Sequence, residues 1–316
     1  MDFNLPIADP LHGCRNLLVT GIGGGFDVYC GLPIYLELRR RGFGVHLANY
    51  SFSDISGHRH GTRLSPTLVG VRADHDDFYP YFPEFHLTRW LREHLGEDIP
   101  IWSFEKTGCR TLAADYRTLV DHLGIDGVVM VDGGVDSLMR GDEAETGTIV
   151  EDAISMAAIR ALPGLKARVL GCVGLGAERD VNHAHVFENI AAITRDGGFL
   201  GTCSLTRQMP VAQRYLEALA HAQSQRFQDP SVINSSIASA LQGEFGDFHL
   251  TAKTRGSRLW ISPLMPIYWF FDFEAVARRS LILDTVDGTA TFREAVMAVV
   301  NRLGTLRRRA AVRVPL

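Results

Sequence analysis

The sequence predicts an α/β protein: a mostly parallel sheet between helical layers, in a Rossmann-like three-layer fold. Three observations predict it. Short apolar runs alternate with longer segments of helical period. The strand candidates are almost continuously apolar, as in a sheet covered on both faces. A glycine-rich turn, Gly21 to Gly25, directly follows the first strand candidate.

The elements follow in order. Residues 15–20 (RNLLVT) read as the first strand, 32–41 as a helix and 45–50 as the second strand. Residues 84–95 have helical spacing at Phe85, Trp90, Leu91 and Leu95. A strand at 101–104 and a helix at 112–123 come next. Residues 127–131 (GVVMV) form a buried strand ending at Asp132. Helices at 148–162 and 184–194 alternate with strands at 168–173 and 199–205. The last third is less regular, with helices at 211–225, 231–241 and 292–303 and late strands at 259–262 and 267–271. No Gly-, Ser- or Pro-rich linker interrupts the chain, so residues 1–316 read as one domain. Stretches 51–65 and 74–83 exceed the usual connection length and are candidate lids or site walls.

Composition narrows the function classes. The 316 residues are 46% hydrophobic and 22% charged, which fits an ordinary globular chain and excludes a disordered or collagenous one. The net charge of −4 argues against a broad nucleic-acid surface. No apolar run approaches a membrane span. No basic stretch leads into an apolar run at the N-terminus, so no signal peptide is expected. The five cysteines are scattered without a CxxC pair, which predicts a reduced, cytoplasmic protein. The expected partner is a small molecule, with no nucleic acid or membrane. The aromatics around 78–85 suit a lid or a homo-oligomer contact.

The turn Gly21-Ile22-Gly23-Gly24-Gly25-Phe26-Asp27 lies between strand and helix, where ligands bind in α/β sheets. Gly23, Gly24 and Gly25 can present N–H groups to an anion. The spacing is not a full G-x-G-x-x-G, and no Lys-Ser or Lys-Thr follows. The second strand runs into Asn49 instead of the acid expected for NAD. Asn49 can still bond a substrate hydroxyl. Asp27 is a candidate for a metal, a sugar hydroxyl or a substrate cation, or else a helix cap.

The densest polar constellation is DGGVDSLMRGDE, residues 132–143. Its four carboxylates, Asp132, Asp136, Asp142 and Glu143, share one arginine, Arg140. Such crowding is tolerable if a cation or a hydroxyl-rich substrate intervenes, and it raises the pKa of an acid. Gly133 and Gly134 can donate N–H groups. GGVDS also matches part of the SGGxDS loop of ATP pyrophosphatases, but without its Ser and after the wrong strand.

These residues resemble a family. GIGGGFDVYCGLP, VDGGVDSLMRGDE and the following TIVEDAISMAA are similar to the DUF1152 family of archaeal and bacterial proteins. The resemblance spans most of the chain and is strongest over 16–160. It implies an α/β fold and marks Gly23, Gly24, Gly25, Asp27, Asp132, Gly134, Asp136, Arg140, Gly141, Asp142, Glu143 and Asp152. It implies no activity.

A third strand-end loop, GLGAERDVNHAH, carries His183 and His185 as acid/base candidates or, with Glu188, as metal ligands. Asn234 can bond a ligand, and Cys30 reads as a small buried hydrophobe.

The expected function is an enzyme, a hydrolase or transferase, acting on a small phosphate- or sugar-containing metabolite by glycosyl or phosphoryl transfer. Asp27, Asp132 and Asp136 would bind Mg2+ or sugar hydroxyls. Asp136, Asp142 or Glu143 would work with Arg140 and His183 in catalysis. The alternatives are an NAD-dependent oxidoreductase and a non-catalytic nucleotide-binding sensor.

Overall fold

A nine-stranded sheet organises the computed structural model, which describes residues 5–73 and 79–314. In chain order its elements are β1 (Asn16–Gly21), α1 (Asp27–Arg40), β2 (Gly44–Tyr50), β3 (Thr62–Ser65), β4 (Leu68–Val71), α2 (Pro83–Trp90), β5 (Ile101–Phe104) and α3 (Cys109–Leu123). Then come β6 (Gly127–Gly133), α4 (Ile149–Arg160), β7 (Ala167–Val173), α5 (His183–Arg195), β8 (Phe199–Ser204), α6 (Pro210–Gln223) and α7 (Val232–Gln242). The last are β9 (Ile267–Asp272), α8 (Phe273–Ala277), α9 (Leu283–Val286) and α10 (Phe292–Thr305).

The strands lie in the order β3-β4-β5-β2-β1-β6-β7-β9-β8. The five central strands, β5 to β7, are parallel, and the outer four pair antiparallel. Strand β1 feeds β2 on one side and lies against β6 on the other, so the order reverses between β1 and β6. Along β1, Leu18 enters one core while Leu17 and Val19 enter the other. Helices α3 and α4 cover the first face, and α1 and α6 the second. Burial on both faces explains why these strands are apolar without alternation.

The structure amends the expected elements in several places. Helix α1 starts at Asp27, five residues early, because Val28, Tyr29, Cys30 and Leu32 bury against the sheet and Pro33 is accommodated inside the helix. The stretch 51–65 ends in strand β3, which pairs with β4 as an edge hairpin. The run at 267–271 inserts as β9 between β7 and β8, so the sheet is parallel only at its centre. Residues 259–262 form no strand; Ile261 makes a single bridge to Gly246. Of the second long stretch, 74–78 lie outside the described residues.

Candidate metal centre

Three carboxylates converge beside the reversal of strand order. Asp132 closes β6, Asp136 follows it in a short 3-10 turn, and Asp152 lies in the first turn of α4. One oxygen from each lies within 4.8 Å of the others, and the residues are only 2%, 3% and 2% exposed. Local chemistry fixes each one. Asp132 Oδ2 accepts from the Ser137 N–H at 3.1 Å and from the Ser137 hydroxyl. Asp136 Oδ2 accepts from the N–H and the hydroxyl of Thr148, at 2.8 and 3.1 Å. Asp152 is held by its helix, which Ser155 ties to the glycine loop through the Ile22 carbonyl at 2.8 Å. Asp152 Oδ1 is buried and has no hydrogen-bond partner.

Two more acids complete the wall. Glu178, in the loop after β7, accepts from the Val135 N–H at 2.7 Å. Its other oxygen and Asp132 Oδ1 close on Gly134 so tightly that a Cβ there would lie 2.8 and 3.0 Å from them. Asp27 lies on the other side, where its carboxylate accepts from Gly23 N–H at 2.7 Å and from the N–H groups of Gly24 and Gly133.

The electrostatics are those of crowded, buried carboxyls whose charged forms no neighbouring cation balances. Burial, then the charges of Asp136 and the other aspartates, pushes Asp132 and Asp152 well above the ordinary carboxylate range. Glu178 is raised likewise by burial and by Asp136 and Asp132. Burial brings Asp136 to about 6 and Asp27 to about 7 against their hydrogen bonds. Among the described residues no lysine, arginine or histidine pairs with any of these five acids. Oxygen-only ligands of this kind suit a hard divalent cation such as Mg2+ or Mn2+.

Two cavities flank the cluster. One, of about 610 Å³, reaches Asp27 and is lined by Phe52, Tyr81, Phe227 and Lys253 among others. The second, of about 450 Å³, reaches Glu178 between α5 and the segment around Trp260.

A family comparison can now be placed on this geometry. The model of DUF1152, described as a protein of unknown function, matches residues 90–306. The chain belongs to the DUF1152 family. No curated protein and no solved structure matches it. The DUF1152 match holds Asp132, Asp136, Asp152 and Glu178, whereas the glycine loop with Asp27 and the rest of residues 16–89 fall outside it.

In this DUF1152 protein the expected site residues separate into groups. Gly23, Gly24, Asp27, Asp132, Gly133, Gly134 and Asp136 gather at the cluster. The expected metal set Asp27, Asp132 and Asp136 differs from the observed triad, which has Asp152 in place of Asp27. Asp27 is occupied by the glycine N–H groups, so the loop holds its own carboxylate. Gly24, at φ +97°, has no room for a side chain, since a Cβ would overlap the Phe52 ring. Gly24→Ala is expected to destabilise the protein by about 1–2 kcal/mol, measurable by urea unfolding.

Arg140, Asp142 and Glu143 belong to a different network. Glu143 is fully buried and accepts from the N–H groups of Arg140 and Gly141, from Asn189 and from Arg309, at 2.8–3.0 Å. Burial pushes its carboxyl up, but these bonds outweigh it and leave the pKa lowered, the opposite of what a general acid needs. Asp142 pairs with Arg309 at 3.2 Å and Arg140 at 3.8 Å. Arg309 also binds Glu188, the expected third metal ligand of the histidine loop.

Asn49 donates to the Gly25 carbonyl at 2.9 Å and to Glu84 at 2.8 Å. Asn234 accepts from Tyr215 and Cys30 and donates to Phe26 and Ser231, which clamps α7 onto the glycine loop. Cys30 is a buried thiol raised well above its usual pKa by burial and by Asp27 and Asp132. His183 opens α5 and lines the second cavity, and Asn182 caps that helix through the His185 N–H.

Glu178 was not among the expected site residues. Its signal was the loop GLGAERD after a buried strand, the same strand-end rule that singled out Asp132.

Proposed function

We propose that the cluster is a divalent-cation site, with Mg2+ as the expected ion, and that the protein is an enzyme. It acts on a phosphate- or sugar-containing metabolite by hydrolysis or by phosphoryl or glycosyl transfer. The observation that carries this reading is the triad Asp132, Asp136 and Asp152: buried, within 4.8 Å, lacking any described cationic partner, and with Asp152 Oδ1 unsatisfied. A buried charge without a partner is costly, and a cation removes that cost. The strand order supports the same reading. Taken alone, the five parallel strands run third-second-first-fourth-fifth, a Rossmann-like order, and the cluster lies where that order reverses. For an NAD enzyme there is less support, because Asn49 is engaged by Gly25 and Glu84 and the Phe52 ring lies on Gly24. The free cysteines accord with a cytoplasmic setting, and no helix among the described residues is long and apolar enough to cross a membrane.

When bound, the cation would polarise an oxygen of the substrate and balance charge that develops there. The chain supplies the rest. Asp132, Asp136 and Asp152 hold the ion. Glu178, the least enclosed of the five acids, carries the proton that a leaving oxygen needs. Ser137 and Thr148 keep the ligands in place through hydrogen bonds.

Calorimetric titration of EDTA-stripped protein with Mn2+ tests the reading. One site is expected, with affinity reduced about 100-fold or more in Asp152→Asn. Absence of binding, or equal affinity in the variant, would overturn it.

A further inference from the structure

The two cavities beside the cluster differ in charge, and that difference selects the side on which an anionic substrate lies. The Asp27 cavity holds Lys253, which Asp229 neutralises at 2.5 Å. The glycine N–H groups nearby already face the Asp27 carboxylate. This side therefore offers little to a further anion. The other cavity is lined by Glu178, Arg179, His183, Phe187, Arg258 and Trp260. Neither Arg179 nor Arg258 makes a hydrogen bond or ion pair with any described residue, in contrast to the Arg309 network next door. The first turn of the 13-residue helix α5 opens on the same space and adds favourable potential for an anion. Trp260 is 56% exposed and lines the cavity, and the Phe245 ring meets it edge-on at 5.7 Å.

We propose that this cavity binds a nucleoside monophosphate, or a phosphoester of like build, with its base on Trp260 and its phosphate on Arg179 and Arg258. The proposal rests on the reading of the carboxylate triad as a metal centre. Three requirements meet in one place. A planar ring needs an exposed aromatic face. A phosphate needs cations that are not already paired. The reacting end must reach the metal centre, and Glu178 is shared by the cavity and the cluster. The volume of about 450 Å³ falls within the ~300–1,000 Å³ usual for small-molecule sites.

The test uses the full chain in Mg2+ with AMP, ribose 5-phosphate and adenosine as probes, read by calorimetry and by quenching of indole fluorescence. AMP is expected to bind about 10-fold or more tighter than either fragment. Trp260→Leu should weaken AMP about 10-fold and leave ribose 5-phosphate unchanged. Arg179→Ala with Arg258→Ala should weaken AMP and ribose 5-phosphate and leave adenosine unchanged. Both variants should keep the wild-type Mn2+ affinity, since neither alters a ligand of the ion. Mn2+ binding without AMP binding, or AMP affinity unaffected by the arginine pair, overturns this proposal alone. Failure of the wild type to bind Mn2+ overturns the metal centre and this proposal with it.

Discussion

In EDTA, the protein is expected to lose stability as the pH rises from about 6.5 to 8. Asp27, Asp132, Asp136, Asp152 and Glu178 all hold their protons more tightly when folded than an ordinary carboxyl does, because burial and mutual repulsion disfavour the charged forms. The unfolded chain releases those protons near pH 4. Between that pH and the folded pKa, the folded state binds a proton that the unfolded state does not. Stability then falls by about 1.4 kcal/mol per pH unit for each such group. Asp136, at about 6, has finished most of its change before the window opens, and Asp27, at about 7, titrates inside it. A group held above the window contributes about 2 kcal/mol across it. The lower limit is set by His46, His86 and His221, whose pKa values burial depresses, that of His86 to about 4. Below about pH 6.5 they oppose the carboxylates, since the unfolded chain then takes up protons that the folded chain refuses. A fall of several degrees in Tm from pH 6.5 to 8 is expected in EDTA. Saturating Mg2+ or Mn2+ should shrink it, because the ion binds the charged forms. Asp132→Asn should raise the metal-free Tm at pH 8 while abolishing the effect of metal. A flat Tm in EDTA, with no response to metal, would refute the charge state assigned to the cluster.

Glu143→Ala is expected to cost about 3–5 kcal/mol of stability, visible by urea unfolding. The loss strands the N–H groups of Arg140 and Gly141, the Asn189 amide and one arm of Arg309. Because the folded pKa of Glu143 is lowered, its contribution is present above its ordinary pKa and is lost as pH falls through the folded value. Its Mn2+ affinity, measured on the folded fraction, should stay within about 3-fold of wild type, because Glu143 is not a ligand in the triad. Unchanged stability with lost metal binding would move Glu143 into the centre.

The central sheet was legible because period and burial agree there. Strand β5 falls on the expected residues 101–104, and β6 differs only in running on to Gly133. The antiparallel flanks were not legible. Strand β3 (TRLS) is a short, polar edge, and which strand β9 joins is a matter of packing that no local pattern states. In the site, acids placed just after strands were readable. Asp152 stood out only through resemblance, since an acid in a first helical turn has an adequate dipole explanation. The roles of Glu143 and Asn234 were misleading for one physical reason. A polar side chain near a strand end looks the same in sequence whether it faces a ligand or satisfies distant backbone groups, and here Arg309 and Phe26 take those partners.

The clamp on the glycine loop has a consequence in time. Asn234 binds the Phe26 carbonyl across 208 residues, and Tyr268 binds the Cys30 carbonyl at 2.7 Å across 238. During synthesis at ~5–20 residues per second, the loop waits on the order of 10–50 s for these anchors. For most of that interval helix α1 is without the α6 surface against which it later packs. The nascent chain therefore carries an apolar, chaperone-accessible face for most of its translation, and the two anchors on the glycine loop and α1 are among the last contacts that synthesis supplies.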